Sequence, residues 1–348
     1  MKKLAIIGCG NIGSYHLGHF LQFGDLIELA GFCDLIPERA ESFVSRAGGG
    51  KAFVDYKKMY DEIQPDLVFI CIPPYCHGEI ELETIKRGIP FFVEKPLSLD
   101  LELARTILTA IEEKKLITAS GFQCRYSKLV EPNLKFCREN EIVFIDCTRI
   151  GGVPDISWWK DKKLSGGQLV EQTIHQLDII RYTFGEPEEV FSYSTRGFVK
   201  DVSAYNTDDC SVTVVRFKNG ALGIISTGDY ALNGNSFDSK IVFSSRTKRA
   251  ELKILGTFEV FEEQPEDSGQ SKGLVTKGDG AVGKGGKSFV YREEGDAGIL
   301  CDRTFIEAVI SGDGSRIRSP YRDAYKSVEF AMACNESMET GKPVRIGG

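Results

Sequence analysis

The first 34 residues constrain the chain more than any other stretch. Residues 3 to 10, KLAIIGCG, form a short apolar run that ends in glycine, and the turn continues as Gly8-Cys9-Gly10-Asn11-Ile12-Gly13. Ile12, Leu17, Phe20 and Leu21 then recur at roughly helical spacing, and Glu28 to Cys33 returns as a second strand closed by Asp34. In that setting Gly8 makes a tight turn, Gly10 lets backbone approach a pyrophosphate, and Gly13 permits close helix-sheet packing. The helix N-terminus adds unpaired N–H groups and a positive dipole end. Asp34 falls 21 residues beyond Gly13, where a carboxylate accepts hydrogen bonds from an adenosine ribose. A glycine turn alone is weak evidence, but strand, turn, helix and acid here agree on dinucleotide binding. The acid would repel a 2′-phosphate and no arginine immediately follows it, so NAD is preferred over NADP. Arg39, about one helical turn on, is the residue that could swing toward a phosphate.

The same grammar continues to residue 122. Pro37 to Ala47 reads as helix and Ala52 to Val54 as a third strand. The run LVFICI, Leu67 to Ile72, sits between prolines and reads as a buried parallel strand. A helix follows over His77 to Lys86, a strand over Phe91 to Val93, a helix over Asp100 to Lys114 and a strand over Ile117 to Phe122. Short apolar strands alternating with amphipathic helices define a doubly wound parallel sheet. Beyond it the pattern changes. Pro132 to Arg138 reads as a helical linker, Ile142 to Arg149 as a strand and Gly166 to Phe184 as one long helix. Six strand-like segments between Glu188 and Phe261 are joined by hairpin-sized gaps such as Lys218-Asn219-Gly220, which favours a large, mostly antiparallel open sheet. Residues 264 to 287, rich in glycine, read as an irregular surface loop or a lid. Ala297 to Ser311 and Arg322 to Thr340 close the chain as helices. The expected division is therefore a Rossmann domain over 1–122 and an α+β domain for substrate binding and oligomerisation over 123–348, with a C-terminal helix packing back on the first.

A chain of 348 residues is long enough for two cores, and a hydrophobic fraction of 42% is ordinary for a globular protein. The formal net charge of −7 provides no general basic field for nucleic acid. No run approaches 18 apolar residues, and the N-terminus enters a strand with no small-residue cleavage site, so neither a membrane span nor a secretory leader is expected. The ten cysteines form no CxxC pair and read as reduced thiols of a cytoplasmic protein. The four histidines, His16, His19, His77 and His175, form no zinc motif, and no metal is expected.

The chemistry-bearing residues lie elsewhere. Glu171, His175 and Asp178, spaced by four and three after a Gly166-Gly167 break, would share one face of a regular helix. An imidazole there can remove a hydroxyl proton near neutrality, with a carboxylate to orient it or to bind another hydroxyl. Lys95, in Glu94-Lys95-Pro96 at the end of the fifth strand, stands where open α/β sheets present ligand-binding groups, and could equally be a salt-bridge lysine. Gln123 and Arg125 follow the sixth strand where the domains should meet, and Arg125 reads either as a substrate contact or as a structural ion-pair residue. Trp158 and Trp159 either stack on a sugar face or anchor their loop. Tyr291, Arg292 and Tyr321 have polar groups suited to polyols but no geometry from sequence.

Taken together, Gly8 to Gly13, Pro73-Pro74-Tyr75-Cys76-His77, Glu94-Lys95-Pro96 and the run Gly166 to Asp178 resemble the Gfo/Idh/MocA oxidoreductases, the family of glucose-fructose oxidoreductase and inositol dehydrogenase. The resemblance runs through most of the chain. It implies an NAD(P)-dependent dehydrogenase acting on CH–OH groups of a small sugar or polyol, built as a homodimer or homotetramer. On its motifs Lys95 matches the active-site lysine and His175 the catalytic histidine. Asn11, Ile12, Pro73, Pro74, His77 and Glu94 fall at the cofactor. Glu171 stands where many relatives have aspartate, and its extra methylene bears on inositol specificity more than on dehydrogenation. Asp178 matches a common acid that supports the ring or the domain interface. Two other readings follow from the same resemblance: an enzyme that retains NAD for internal redox or redox-assisted elimination, and an NAD-bound sensor without turnover.

Overall fold

The computed structural model describes residues 1–232, 237–262 and 287–347. Strands β1 (Lys2–Ile7), β2 (Ile27–Cys33), β3 (Lys51–Phe53), β4 (Leu67–Ile70), β5 (Phe91–Val93) and β6 (Thr118–Ser120) form a parallel sheet in the order β3-β2-β1-β4-β5-β6. Strand order reverses between β1 and β4, and the crevice beyond their carboxyl ends is where such sheets take their ligands. Every residue of β4 and β5 is buried because helices cover both faces, which explains their unbroken apolar sequence. The helix Tyr56–Ile63 has no counterpart in the sequence reading. Asp55 caps it, accepting from the amides of Lys57 at 2.8 Å and Lys58 at 3.3 Å. The helix expected from His77 begins at Glu79, because Gly78 turns the chain with φ +136°.

The second sheet contains β7 (Phe144–Ile150), β8 (Pro187–Thr195), β9 (Cys210–Phe217), β10 (Leu222–Gly228), β11 (Asp238–Ser244), β12 (Lys248–Lys253), β13 (Thr257–Glu262), β14 (Lys287–Arg292) and β15 (Val344–Arg345). Its order is β14-β13-β12-β11-β7-β10-β9-β8-β15, antiparallel throughout except for the β7–β10 pair. The mostly antiparallel open sheet read from hairpin spacing is therefore present. Strands β14 and β15 were not legible. Apart from Lys287, the glycine-rich segment 264–287 lies outside the described residues. Along β9 buried and exposed residues alternate, with Thr213, Val215 and Phe217 toward the helices and Val212 and Val214 toward solvent.

The two sheets share their packing. Helix Tyr321–Thr340 lies in an apolar cluster that joins Val68 and Phe91 of the first sheet to Ile145 and Val215 of the second. Helix Ala297–Ser311 sends Cys301, Phe305 and Ile306 into a cluster with Leu4, Phe69 and Phe92.

Arg125 and Asp178 tie the turn after β6 to the helix Ile174–Thr183, the structural ion-pair alternative for Arg125 and a supporting role for Asp178 in place of a substrate contact. Arg125 is 1% exposed, and donates to Asp178 from Nε at 2.7 Å and from Nη2 at 2.5 Å. Its Nη1 donates to the carbonyl of Arg318 at 2.6 Å and pairs with Asp323. Ser327 Oγ donates to Asp178 Oδ1 at 2.6 Å, so the carboxylate is satisfied without a ligand. Asp178→Ala should leave a buried guanidinium short of its partner and cost about 3–5 kcal/mol of stability in denaturant titration. A loss below about 1 kcal/mol, the range of an exposed pair, would contradict this role.

Candidate active site

The glycine turn is shaped by close backbone approach. Gly8 has φ +92°, and a Cβ there would lie 2.1 Å from the Cys71 carbonyl oxygen; one on Gly13 would lie 2.2 Å from the Gly8 carbonyl oxygen. Gly10 differs in that a Cβ would meet no atom within 4 Å. It precedes helix Asn11–Phe20, whose N-terminus has no side-chain cap. Asn11 is exposed and Ile12 half-buried on this first turn. Asp34 is tied back to the turn, its carboxylate accepting from the amides of Cys9 at 2.8 Å and Ile36 at 2.9 Å. A carboxylate held by two amides retains lone pairs for ribose hydroxyls. An open Gly10, an uncapped helix start and a fixed acid at the second strand's end suit a dinucleotide. Arg39 is exposed on helix Pro37–Ala47. Pro73 and Pro74 lead into a short 3₁₀ turn ending before His77. There His77 Nδ1 meets Glu81 Oε1 at 2.6 Å, while its buried Nε2 has no partner.

Lys95, just beyond β5, and Glu171 join the two halves. Lys95 Nζ donates to Glu171 Oε1 at 2.8 Å and to the Glu171 carbonyl at 2.7 Å, and the Lys95–Pro96 bond is cis. Burial raises the Glu171 carboxyl above its ordinary value against the opposing pull of Lys95. Its Oε2 is buried and unpartnered. The expected regular helix over 166–184 opens differently. Gly166 and Gly167 have φ +78° and +82°, a π-helical turn follows over Leu169–Thr173, and α-helix runs only over Ile174–Thr183. The four-residue rule for a shared face fails across that wide turn. Glu171 turns to Lys95, while Asp178, on the regular α-helix with His175, turns to Arg125. His175 Nδ1 lies 3.8 Å from Cys124 Sγ, with the ring edge-on to Phe122. Burial, then the charges of Lys95 and Arg149, lower its pKa to about 3, so the imidazole is neutral at physiological pH.

The Glu94 side chain, expected at the cofactor, is engaged by protein partners. It is buried, bonds His16 Nε2 through Oε1 at 3.0 Å and accepts from the Lys95 amide at 3.2 Å through Oε2. Gly121 makes room for it, since a Cβ there would lie 2.3 Å from Glu94 Oε1. His16 Nδ1 and His19 Nδ1 both reach Asp302 Oδ2, at 2.8 and 2.7 Å. These three residues bring metal-ligand atoms within 4.8 Å of one another, but the contacts are direct hydrogen bonds. Burial opposes a charge on His16, yet Asp302 and Glu94 outweigh it and raise the imidazole to about 10.

Of the remaining candidates, Gln123 is half-buried on the turn Gln123–Tyr126, and Trp158 is half-buried. Trp159 is 1% exposed, which supports the loop-anchoring alternative. Tyr321 is fully buried and Tyr291 lies on β14 beside Phe258. Arg149 was missed. It lies on β7 with the inward residues Ile145 and Cys147 and donates to Gln172 Oε1 at 2.8 Å; a charge in the buried phase of a strand was the available signal.

These features define a nucleotide-binding oxidoreductase site between two α/β units. The family model described as "Oxidoreductase family, NAD-binding Rossmann fold" matches residues 2–122, and "Oxidoreductase family, C-terminal alpha/beta domain" matches residues 140–346. The chain belongs to this Gfo/Idh/MocA family of NAD-dependent oxidoreductases. It is 26% identical to a myo-inositol 2-dehydrogenase of Thermotoga maritima over 99% of this chain and 98% of the relative. It is also 26% identical to a scyllo-inositol 2-dehydrogenase (NAD(+)) of Bacillus subtilis over 69% of this chain and 71% of the relative. A levoglucosan dehydrogenase in complex with NADH and levoglucosan has the same fold, with a TM-score of 0.83 at 18% identity over 100% of both chains.

If His175 is the group whose neutrality catalysis requires, the acid limb of kcat/KM should lie well below pH 6.5, because that profile reports the free enzyme. A limb at or above pH 6.5 that vanishes in His175→Ala would mean the ring is not held neutral.

Proposed function

We propose that this chain reversibly oxidises a secondary alcohol of a cyclic sugar, sugar derivative or polyol, with Lys95 and His175 as the catalytic side chains. The observation that carries the reading is a lysine ammonium fixed by Glu171 near an imidazole kept neutral by burial and positive neighbours. The relatives named as inositol dehydrogenases support the substrate class. Gly8, Gly10, Gly13 and the start of helix Asn11–Phe20 would hold the pyrophosphate, Asp34 the ribose, and Pro73, Pro74 and His77 the inner wall. Bound there, NAD supplies the acceptor for hydride leaving the alcohol carbon. Lys95 Nζ holds the alcohol oxygen and stabilises negative charge that develops on it. His175 takes the hydroxyl proton. Glu171 keeps the ammonium aimed through two acceptors, and its free Oε2 suits a neighbouring substrate hydroxyl. Gln123 and Trp158 complete the substrate side. In this division residues 1–122 hold the nucleotide and 123–348 the substrate, and ten unpaired thiols suit the cytoplasm.

The outer face of the nine-stranded sheet is the assembly surface in this reading. Phe144 and Leu222 are paired in register and exposed, beside exposed Val212, Val214 and Tyr193. A contiguous apolar patch of this kind marks a protein interface. Light scattering after size exclusion should give a dimer or tetramer, whereas a monomer at working concentrations would count against it.

His175→Ala and Lys95→Ala should each lower kcat on the order of 100-fold or more while leaving NAD affinity nearly unchanged. The check is NADH absorbance on a panel of polyols and sugars, with separate calorimetric titration of NAD. Near-native turnover in both variants would remove the two residues from the chemistry.

A further inference from the structure

His16 lies on the helix Asn11–Phe20, and the chemistry above gives it no task. The residue is 3% exposed, yet each ring nitrogen meets a carboxylate: Nδ1 lies 2.8 Å from Asp302 Oδ2, and Nε2 lies 3.0 Å from Glu94 Oε1. A neutral imidazole carries one N–H and can donate to only one of two ionised carboxylates, whereas an imidazolium donates to both at once. The other groups around the ring do not compete for that proton. Phe69 of β4 and Phe92 of β5 pack against it, with Phe20 stacked on it from the same helix. Burial pushes the thiols of Cys71 and Cys301 up, so they carry no charge. His19 shares Asp302 Oδ2 at 2.7 Å, a bond that needs only the Nδ1 proton of a neutral ring, and its Nε2 lies 3.6 Å from Asp296 Oδ2. Tyr15, edge-on to His16, gives its hydroxyl to Asp296 at 3.3 Å.

Glu94 passes the hold of His16 to the lysine. Its Oε2 accepts from the Lys95 amide at 3.2 Å, and its own amide donates to the Ile70 carbonyl at 2.9 Å. The carboxyl lies flat on Gly121, where a Cβ would come within 2.5 Å of Oε1, Cδ and Oε2, so it has no room to shift on that side. From this fixed backbone Lys95 Nζ reaches Glu171 Oε1 at 2.8 Å. The bonds therefore run without a break from Asp302 through His16 and Glu94 to the Lys95 amide. His16 is five residues from the start of its helix, about 7.5 Å along the axis. That start is where the cofactor's pyrophosphate is placed above, so a single rigid helix spaces the cofactor from the lysine.

We propose that His16 is a positioning residue for the dehydrogenase reaction: as an imidazolium clamped between Asp302 and Glu94, it fixes the Lys95 backbone relative to the helix start that takes the cofactor. This rests on the reading of Lys95 as the cation that holds the alcohol oxygen. Loss of the ring proton frees one of the two carboxylates and leaves a buried charge without its partner. A shift of about 1 Å in a reacting group costs on the order of 100-fold in rate.

The chain has four histidines, so ¹⁵N-histidine NMR reads the ring directly, with His16→Gln to assign it. In the NAD-loaded wild type both ring nitrogens of His16 should stay protonated through pH 8.5, with a midpoint near 10, because Asp302 and Glu94 outweigh burial. Asp302→Asn, which removes one of those charges, should lower the midpoint by about one unit or more. With myo-inositol and NAD, kcat should fall along a basic limb that moves down with the ring in Asp302→Asn, while KM for NAD changes less than about threefold. His16→Ala should lower kcat about 30-fold or more. A His16 ring with a single proton at pH 7 would overturn the proposal, as would a kcat limb that stays in place while the ring midpoint moves. If the wild type oxidises no polyol, the dehydrogenase reading fails on its own. Competitive acetylation read by mass spectrometry then decides the positioning role without turnover: at pH 9.5, Lys95 of Asp302→Asn should react about fivefold or more faster, relative to exposed Lys135, than in wild type. An equal ratio in the two proteins would overturn it.

Discussion

The burial of the Arg125 guanidinium is the constraint on which the arrangement depends. A charge taken out of water must be matched by partners of good geometry, and Arg125 finds them on three separate segments: Asp178, the Arg318 carbonyl and Asp323. Asp178 lies three residues beyond His175 on one helix, so the pair fixes both the rotation and the height of that helix against the turn after β6. Ser327 then ties the same carboxylate to the long helix that underlies both sheets. The interaction contributes specificity of docking more than net stability, since buried pairs are expensive to desolvate.

Positioned in this way, the crevice sorts charge by local surroundings. Lys95 is held by a carboxylate and a carbonyl, His175 is kept neutral by burial and two cations, and Glu94 is drawn away toward His16. Three groups adjacent in the sequence motifs thus acquire different roles. The division follows from which low-dielectric neighbour each meets, and it is independent of residue type alone.

Most of the first sheet was legible because punctuation and burial coincide there. The prolines around Leu67 to Ile72, the apolar Phe91 to Val93 and the acid at Asp34 each have a single sensible placement in a doubly wound sheet. Helices Pro37–Ala47 and Ala297–Ser311 start and stop where the sequence indicates. Long-range polar pairing was not legible. No local signal distinguishes an Arg125 that meets a sugar from one that meets Asp178, or turns Glu94 inward. The π-helical turn at Leu169–Thr173 was equally hidden, because periodicity reports an average repeat and a single wide turn leaves that average nearly intact. Tyr56–Ile63 was missed for a simpler reason: two turns of helix give too few residues to establish a period.

The packing of helix Ala297–Ser311 on the first sheet has a consequence for the order in which the protein is made. Phe305 stands against Phe69 and Phe92, and Asp302 answers two histidines of the first helix. A nascent chain that has emerged only to residue 122 has every strand of its nucleotide unit, yet it exposes those rings and leaves His16 with Glu94 alone. Its core closes only after nearly the whole polypeptide has left the ribosome. The unit that comes first in sequence is therefore completed among the last, and a chain cut short before residue 302 lacks part of its first core as well as its end.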